Sequence, residues 1–142
     1  MDGTRETGRA DGLDEGGDVV RLGAEGITDA HLVELLERET ELRTRFDRPG
    51  PIGHLVSDLH LMTALVRDYR EGRYREVPWW AMSAVGFCLL YVLSPVDAVP
   101  DVLPILGRVD DAAVLGACLL LVDQELQQYK RWRFEQLRRG AG

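Results

Sequence analysis

Four carboxylates crowd into fifteen residues of this chain: Asp97, Asp101, Asp110 and Asp111. Oxygen ligands at that density suit a hard cation, Mg²⁺ or Ca²⁺, provided the segment folds back on itself. The spacing lacks the alternating ligands and the twelfth-position glutamate of an EF-hand loop. Two of the four could also act as acid and base in a divalent-metal-dependent hydrolase, but that chemistry needs a cleft and perturbed pKa values. A plainer use accounts for all four. Aspartates in turns and first helical turns accept hydrogen bonds from free backbone N–H groups, so capping is the reading adopted and no cofactor is expected.

His54, Asp58 and His60 form a second set with chemical potential. On a helix His54 and Asp58 share a face, while His60 lies well round from His54, so the two histidines read as surface or bundle polar groups. Cys88 and Cys118 stand in apolar runs with neither CxxC nor Cys/His spacing. They read as small buried hydrophobes kept reduced, not as zinc ligands or a disulfide framework. Six residues separate Cys88 from Ser94, and seven separate Asp111 from Cys118, so a tight antiparallel hairpin would bring their neighbourhoods together.

The aspartates sit in an elbow, Ser94 to Asp111, that reads SPVDAVPDVLPILGRVDD. Ser94, Pro95 and Asp97 have the order of a helix start: hydroxyl at the cap, proline first, carboxylate third. Pro95, Pro100 and Pro104 prevent one continuous helix, and Gly107 offers a backbone angle other residues avoid. This order resembles the YkvA-like domain family, small and mostly bacterial proteins of unknown biochemical function. The resemblance is carried by Tyr91, Ser94-Pro95, Asp97, Pro100-Asp101, Pro104, Gly107 and Asp110-Asp111, and it covers about residues 78–122. Ala98 and Val102 stand where bulkier apolar residues are common in the family. The resemblance implies a helical, membrane-associated domain and brings no catalytic residue with it.

The elements that must hold this elbow are all helical by pattern. A length of 142 residues fits one all-α unit, either a small helical bundle or a membrane-associated helical hairpin. Residues 1–26 carry seven acidic against three basic side chains and almost no apolar periodicity, which predicts a disordered acidic tail. Residues 27–76 read as two amphipathic helices. Thr28 and Asp29 start the first, and Leu32, Leu35, Leu36, Leu42 and Phe46 stripe it to Pro49-Gly50-Pro51. Ile52, Leu55, Leu59, Met62, Val66 and Tyr69 stripe the second, with Gly72 as its C-terminal cap. Residues 77–139 form the YkvA-like hairpin.

Charge and hydropathy set the expectations for partners. A net charge of −7 and a pI near 4.9 exclude general nucleic-acid affinity. Val77 to Val96 is free of charge over twenty residues, near the length that crosses a bilayer, and Ala112 to Val122 is a second such run. Arg67, Arg70, Arg73 and Arg75 precede the first run and Lys130 to Arg139 follow the second, which predicts both ends on the cytoplasmic side of the cytoplasmic membrane. Trp79, Trp80, Tyr129 and Trp132 stand where interfacial aromatics belong. Membrane lipid is the expected partner, with a protein partner or homo-oligomer compatible. The alternative is a cytoplasmic helical interaction module whose hairpin is buried by its own first helices, consistent with a mean hydropathy of −0.16. Neither reading requires an enzyme.

Overall fold

The computed structural model describes residues 16–46, 55–94 and 111–141, and every regular element among them is a helix. We number them α1 (residues 16–25), α2 (Asp29–Glu37), α3 (Glu39–Phe46), α4 (Val56–Arg70), α5 (Trp79–Leu93) and α6 (Asp111–Ala141).

α1 corrects the expectation of a disordered tail reaching residue 26. Its strongly apolar residues are Val19, Val20 and Leu22, which make no helical stripe, yet Val19 and Val20 are buried. Its glycines supply what periodicity does not. A Cβ on Gly23 would fall inside the Phe87 ring of α5, and one on Gly16 would strike the Ala113 carbonyl of α6. Bare backbone at these points lets α1 lie close against both helices, so tertiary packing overrides poor helix propensity.

The first predicted amphipathic helix is two helices, divided at Arg38. The Thr28 N–H donates to His31 Nδ1 at 2.9 Å, a reciprocal cap that opens α2. Arg38 bridges the break, reaching Glu34 at 3.1 Å and Glu41 at 2.9 Å. Leu32, Leu35, Leu42 and Phe46 point inward as their spacing predicts. α4 buries Leu59, Met62 and Val66 and ends as expected at Gly72, whose φ is +81°. Gly72 N–H bonds to Tyr69 O at 3.1 Å and Arg73 N–H to Asp68 O at 2.9 Å, the paired closure of a Schellman turn.

Pro78 opens α5, with its carbonyl accepting from Ala81 N–H at 3.0 Å and Met82 N–H at 3.1 Å. From Ala81 to Leu93 every residue of α5 is buried. The reason is position. α2, α3, α4 and α6 all pack on it, Gly23 of α1 meets Phe87, and Gly86 admits Leu32 of α2 and Ile27. A helix apolar on all faces is one enclosed on all faces.

The same fact bears on the membrane-spanning expectation. Fifteen residues of α5 rise about 22 Å, short of a hydrocarbon core of about 30 Å. Among the described residues no helix is long and apolar enough to cross a membrane. From Ala81 to Leu93 the charge-free run is accounted for by the bundle interior.

Candidate functional site

α5 and α6 run antiparallel. Cys118 Sγ lies 3.4 Å from the Ala84 carbonyl oxygen, and further along α6 Leu121 borders the same cleft as Trp79 and Trp80. The predicted neighbourhood of Cys88 and Cys118 is therefore real, and it is closer than two separate thiols. Their sulfurs are joined in a disulfide with a Cα–Cα distance of 6.6 Å, which corrects the reading of two reduced cysteines. The cause is register: equal distances from the elbow place them at equal depth on facing helices.

Of the elbow, Asp97, Asp101, Asp110, Pro95, Pro100, Pro104 and Gly107 lie outside the described residues. Its flanks are described. Tyr91 is buried, its ring centroid 6.0 Å from that of Phe87. Ser94 closes α5 through its N–H to Leu90 O at 2.8 Å, and Asp111 begins α6. Among the described residues no three His, Cys, Asp or Glu side chains converge for a metal ion. His60 is exposed with its ring edge-on to Phe46 at 5.0 Å, in keeping with a bundle polar group; His54 is outside the described residues.

The arginines before α5 are engaged within the bundle. Arg67 pairs with Glu39 of α3, and Arg70 reaches both Asp29 oxygens, at 2.7 and 2.6 Å. Glu39 also takes Arg43 at 2.7 Å, and the Arg67 guanidinium holds its carboxyl below the usual glutamate range. Arg73 binds Asp68 at 2.7 Å, and Arg75 lies 4.4 Å over the Tyr69 ring. This cluster fastens α4 to α2 and α3, so half of the charge asymmetry that suggested a topology has a structural use.

Tyr129 is likewise claimed by the interior. Its hydroxyl donates to Asp68 Oδ2 at 2.5 Å, and its ring packs 5.1 Å from Tyr74 and 5.8 Å from Trp132. Burial, then the Asp68 carboxylate, push its pKa well above that of a free phenol. Tyr129 is thus a latch between α4 and α6, not an interfacial aromatic. The sequence held a partial signal for this latch: an aspartate in the last turn of one helix, and an aromatic pair at i, i+3 on another.

Trp79 and Trp80 keep the exposure expected of interfacial residues, at 43% and 53%. They stand at the first turn of α5 beside an open cleft of about 590 Å³, formed mostly by apolar residues, Val20, Ala24, Ala84 and Leu121, with Arg21 and Glu25 also on its wall. Leu22 and Leu120, each next in sequence to a cleft residue, are exposed as well. Chemically this end offers indole surface with N–H groups at a largely apolar rim. α4 finishes here, α5 starts here, and α6 passes on outward; α5 ends and α6 begins at the opposite end.

Comparison with known proteins fits this architecture. Residues 81–117 match the family described as "Protein of unknown function (DUF1232)". Over 91 residues the chain is 39% identical to "Uncharacterized membrane protein YkvA" of Bacillus subtilis (strain 168), covering 64% of this chain and 82% of that protein. The chain belongs to the YkvA-like family. The matched stretch runs from the first fully buried residue of α5, through the elbow, to the start of α6, so it holds the whole α5–α6 turn. No solved structure matches the chain. In this YkvA-like protein α1 to α4 lie outside the family match and supply the covering of α5.

Proposed function

We propose that this YkvA-like protein is membrane-associated without spanning: a self-contained helical bundle that rests its tryptophan end on the bilayer surface. The observation that carries this reading is the exposure of Trp79 and Trp80 at the mouth of a largely apolar cleft, on a helix that is enclosed from Ala81 to Leu93. Indole rings favour the headgroup region, where one edge is apolar and the N–H stays hydrated. The relative named a membrane protein supports the location. The elbow is a structural keystone on this reading, its aspartates capping helices, and the protein works by binding and not by catalysis.

Fractionation of the native protein tests it. The protein sediments with membranes and is released by alkaline carbonate without detergent. Resistance to carbonate would mean that the hairpin inserts, and recovery in the soluble fraction at low salt would favour the interaction-module reading, which the enclosure of α5 also suits. The hydrolase alternative requires divalent-ion affinity from the elbow aspartates. Asp110 immediately precedes α6 in the sequence, so Asp110→Ala lowers the melting temperature with or without chelator, and Asp110→Ser recovers much of the loss. Chelator alone reproducing the Asp110→Ala effect would instead favour a metal site.

A further inference from the structure

Beyond Trp132, α6 leaves the bundle. Residues 133–140 are helical and exposed throughout, a projection of about 12 Å. Its composition is unlike the rest of this acidic chain. From residue 130 onward α6 carries Lys130, Arg131, Arg133, Arg138 and Arg139 against a single carboxylate, Glu135, while the whole chain carries −7. Among the described residues none of the five cations has a carboxylate within salt-bridge distance, in contrast to Arg67 and Arg70 of α4 and to Arg73 just beyond it.

Two large apolar side chains ride on this projection, Phe134 at 61% exposure and Leu137 at 68%. Lys130, Phe134, Leu137 and Arg138 follow the i, i+4, i+7, i+8 spacing of one helix face, and Arg131 flanks it one turn before Phe134. Tyr129 and Trp132 occupy the opposite side, where they pack on Tyr74. An exposed apolar stripe edged by unpaired cations is the arrangement that lies in a lipid headgroup layer and gains from negative charge there.

We infer that the last three turns of α6 are an anionic-lipid contact, with Phe134 and Leu137 entering the headgroup boundary and Lys130, Arg131 and Arg138 meeting phosphate groups. Position supports the choice of occupant. The projection leaves the bundle at the end where α5 begins, and its basic, apolar-striped surface is exposed from residue 133 to residue 140. The inference rests on the membrane reading and adds a lipid class to it. The cations supply preference for negative headgroups, and the tryptophans supply affinity that does not depend on charge.

Co-sedimentation of the full chain with vesicles of phosphatidylcholine alone, or mixed with phosphatidylglycerol, separates the two claims. The wild type binds the mixed vesicles about a hundredfold more tightly, roughly fivefold for each of Lys130, Arg131 and Arg138, and the preference fades as salt rises. Arg131→Ala with Arg138→Ala lowers affinity for mixed vesicles about 30-fold, roughly fivefold per charge, and leaves binding to phosphatidylcholine unchanged. Phe134→Ala with Leu137→Ala weakens binding to the mixed vesicles as well. All four side chains are exposed, so unchanged melting temperatures certify the fold of each variant. Equal binding to both vesicles, or full preference in the double arginine variant, overturns the inference and leaves the membrane reading standing. No binding to either vesicle overturns both. Binding of nucleic acid or an acidic protein, abolished by the arginine variant while vesicle preference persists, also overturns it.

Discussion

Tyr129 shows how a single buried hydroxyl reports on this fold. It is fully enclosed and donates to the carboxylate that Arg73 also grips, so removing the oxygen strips Asp68 of one of its partners. Tyr129→Phe is expected to cost about 1–3 kcal/mol in chemical denaturation, the usual scale for a hydrogen bond to a charged group. The pH dependence has a definite sign. Its folded pKa is raised above the value of 10.0 for a free phenol, so the contribution is complete below that pH and is lost as the pH rises further. Denaturation midpoints measured above pH 10 fall for the wild type and fall less for Tyr129→Phe. At Cys88 and Cys118, a bridge across a separation of 30 residues is worth about 3–4 kcal/mol on a chain-entropy basis. Reductant therefore lowers the melting temperature and shifts gel mobility, and Cys88→Ala abolishes both responses; an unchanged melting curve in reductant would contradict the bridge. The sequence disclosed the proximity of these cysteines through equal spacing from the elbow, but spacing carries no information on oxidation. It disclosed Tyr129 and Trp132 as aromatics without telling which way they faced, because an aromatic at a helix end suits a bundle seam and a bilayer boundary equally.

The one-sided stripe of α4 was legible in the sequence. Leu59, Met62 and Val66 mark α4, and Gly72 marks its end, because an amphipathic period and a left-handed cap are local signals. Arg38 was not legible as a break, since no proline or glycine punctuates α2 from α3 and the division depends on where the two segments pack. α1 was missed for the complementary reason: its fit is made by absent side chains, which hydropathy does not count. That origin gives a contrast between two glycines. Gly23→Ala places a methyl group within the Phe87 ring and is expected to cost about 1–3 kcal/mol, exceeding the gain in helix propensity of about 1 kcal/mol. A Cβ on Gly116 of α6 meets nothing within 4 Å, so Gly116→Ala is expected to stabilise by up to about 1 kcal/mol. Thermal melts of the two variants should move in opposite directions; a neutral Gly23→Ala would mean that α1 is not tightly docked.

At the scale of the whole molecule, one stretch of sequence supported two architectures. Val77 to Val96 has the length and composition of a span, and nothing local distinguishes an enclosed helix from a lipid-facing one. The distinction lies in what surrounds α5, and that is a property of α1 to α4 and α6 together. Once α5 is enclosed, the large apolar side chains left exposed among the described residues are Leu22, Trp79, Trp80 and Leu120 around the cleft, and Phe134 and Leu137 on the basic projection of α6. A spanning hairpin would bury its tryptophans at one interface and send the elbow across. A docked bundle puts the tryptophans at the headgroups and keeps the elbow on the same side as the rest of the protein. The fluorescence of Trp79 and Trp80 in a Trp132→Phe background, with vesicles carrying brominated acyl chains, tests docking most directly. The docked bundle predicts a blue shift on binding and quenching by bromines near the headgroups more than by those near the chain ends. Vesicle-bound protein with unshifted, unquenched emission would contradict it.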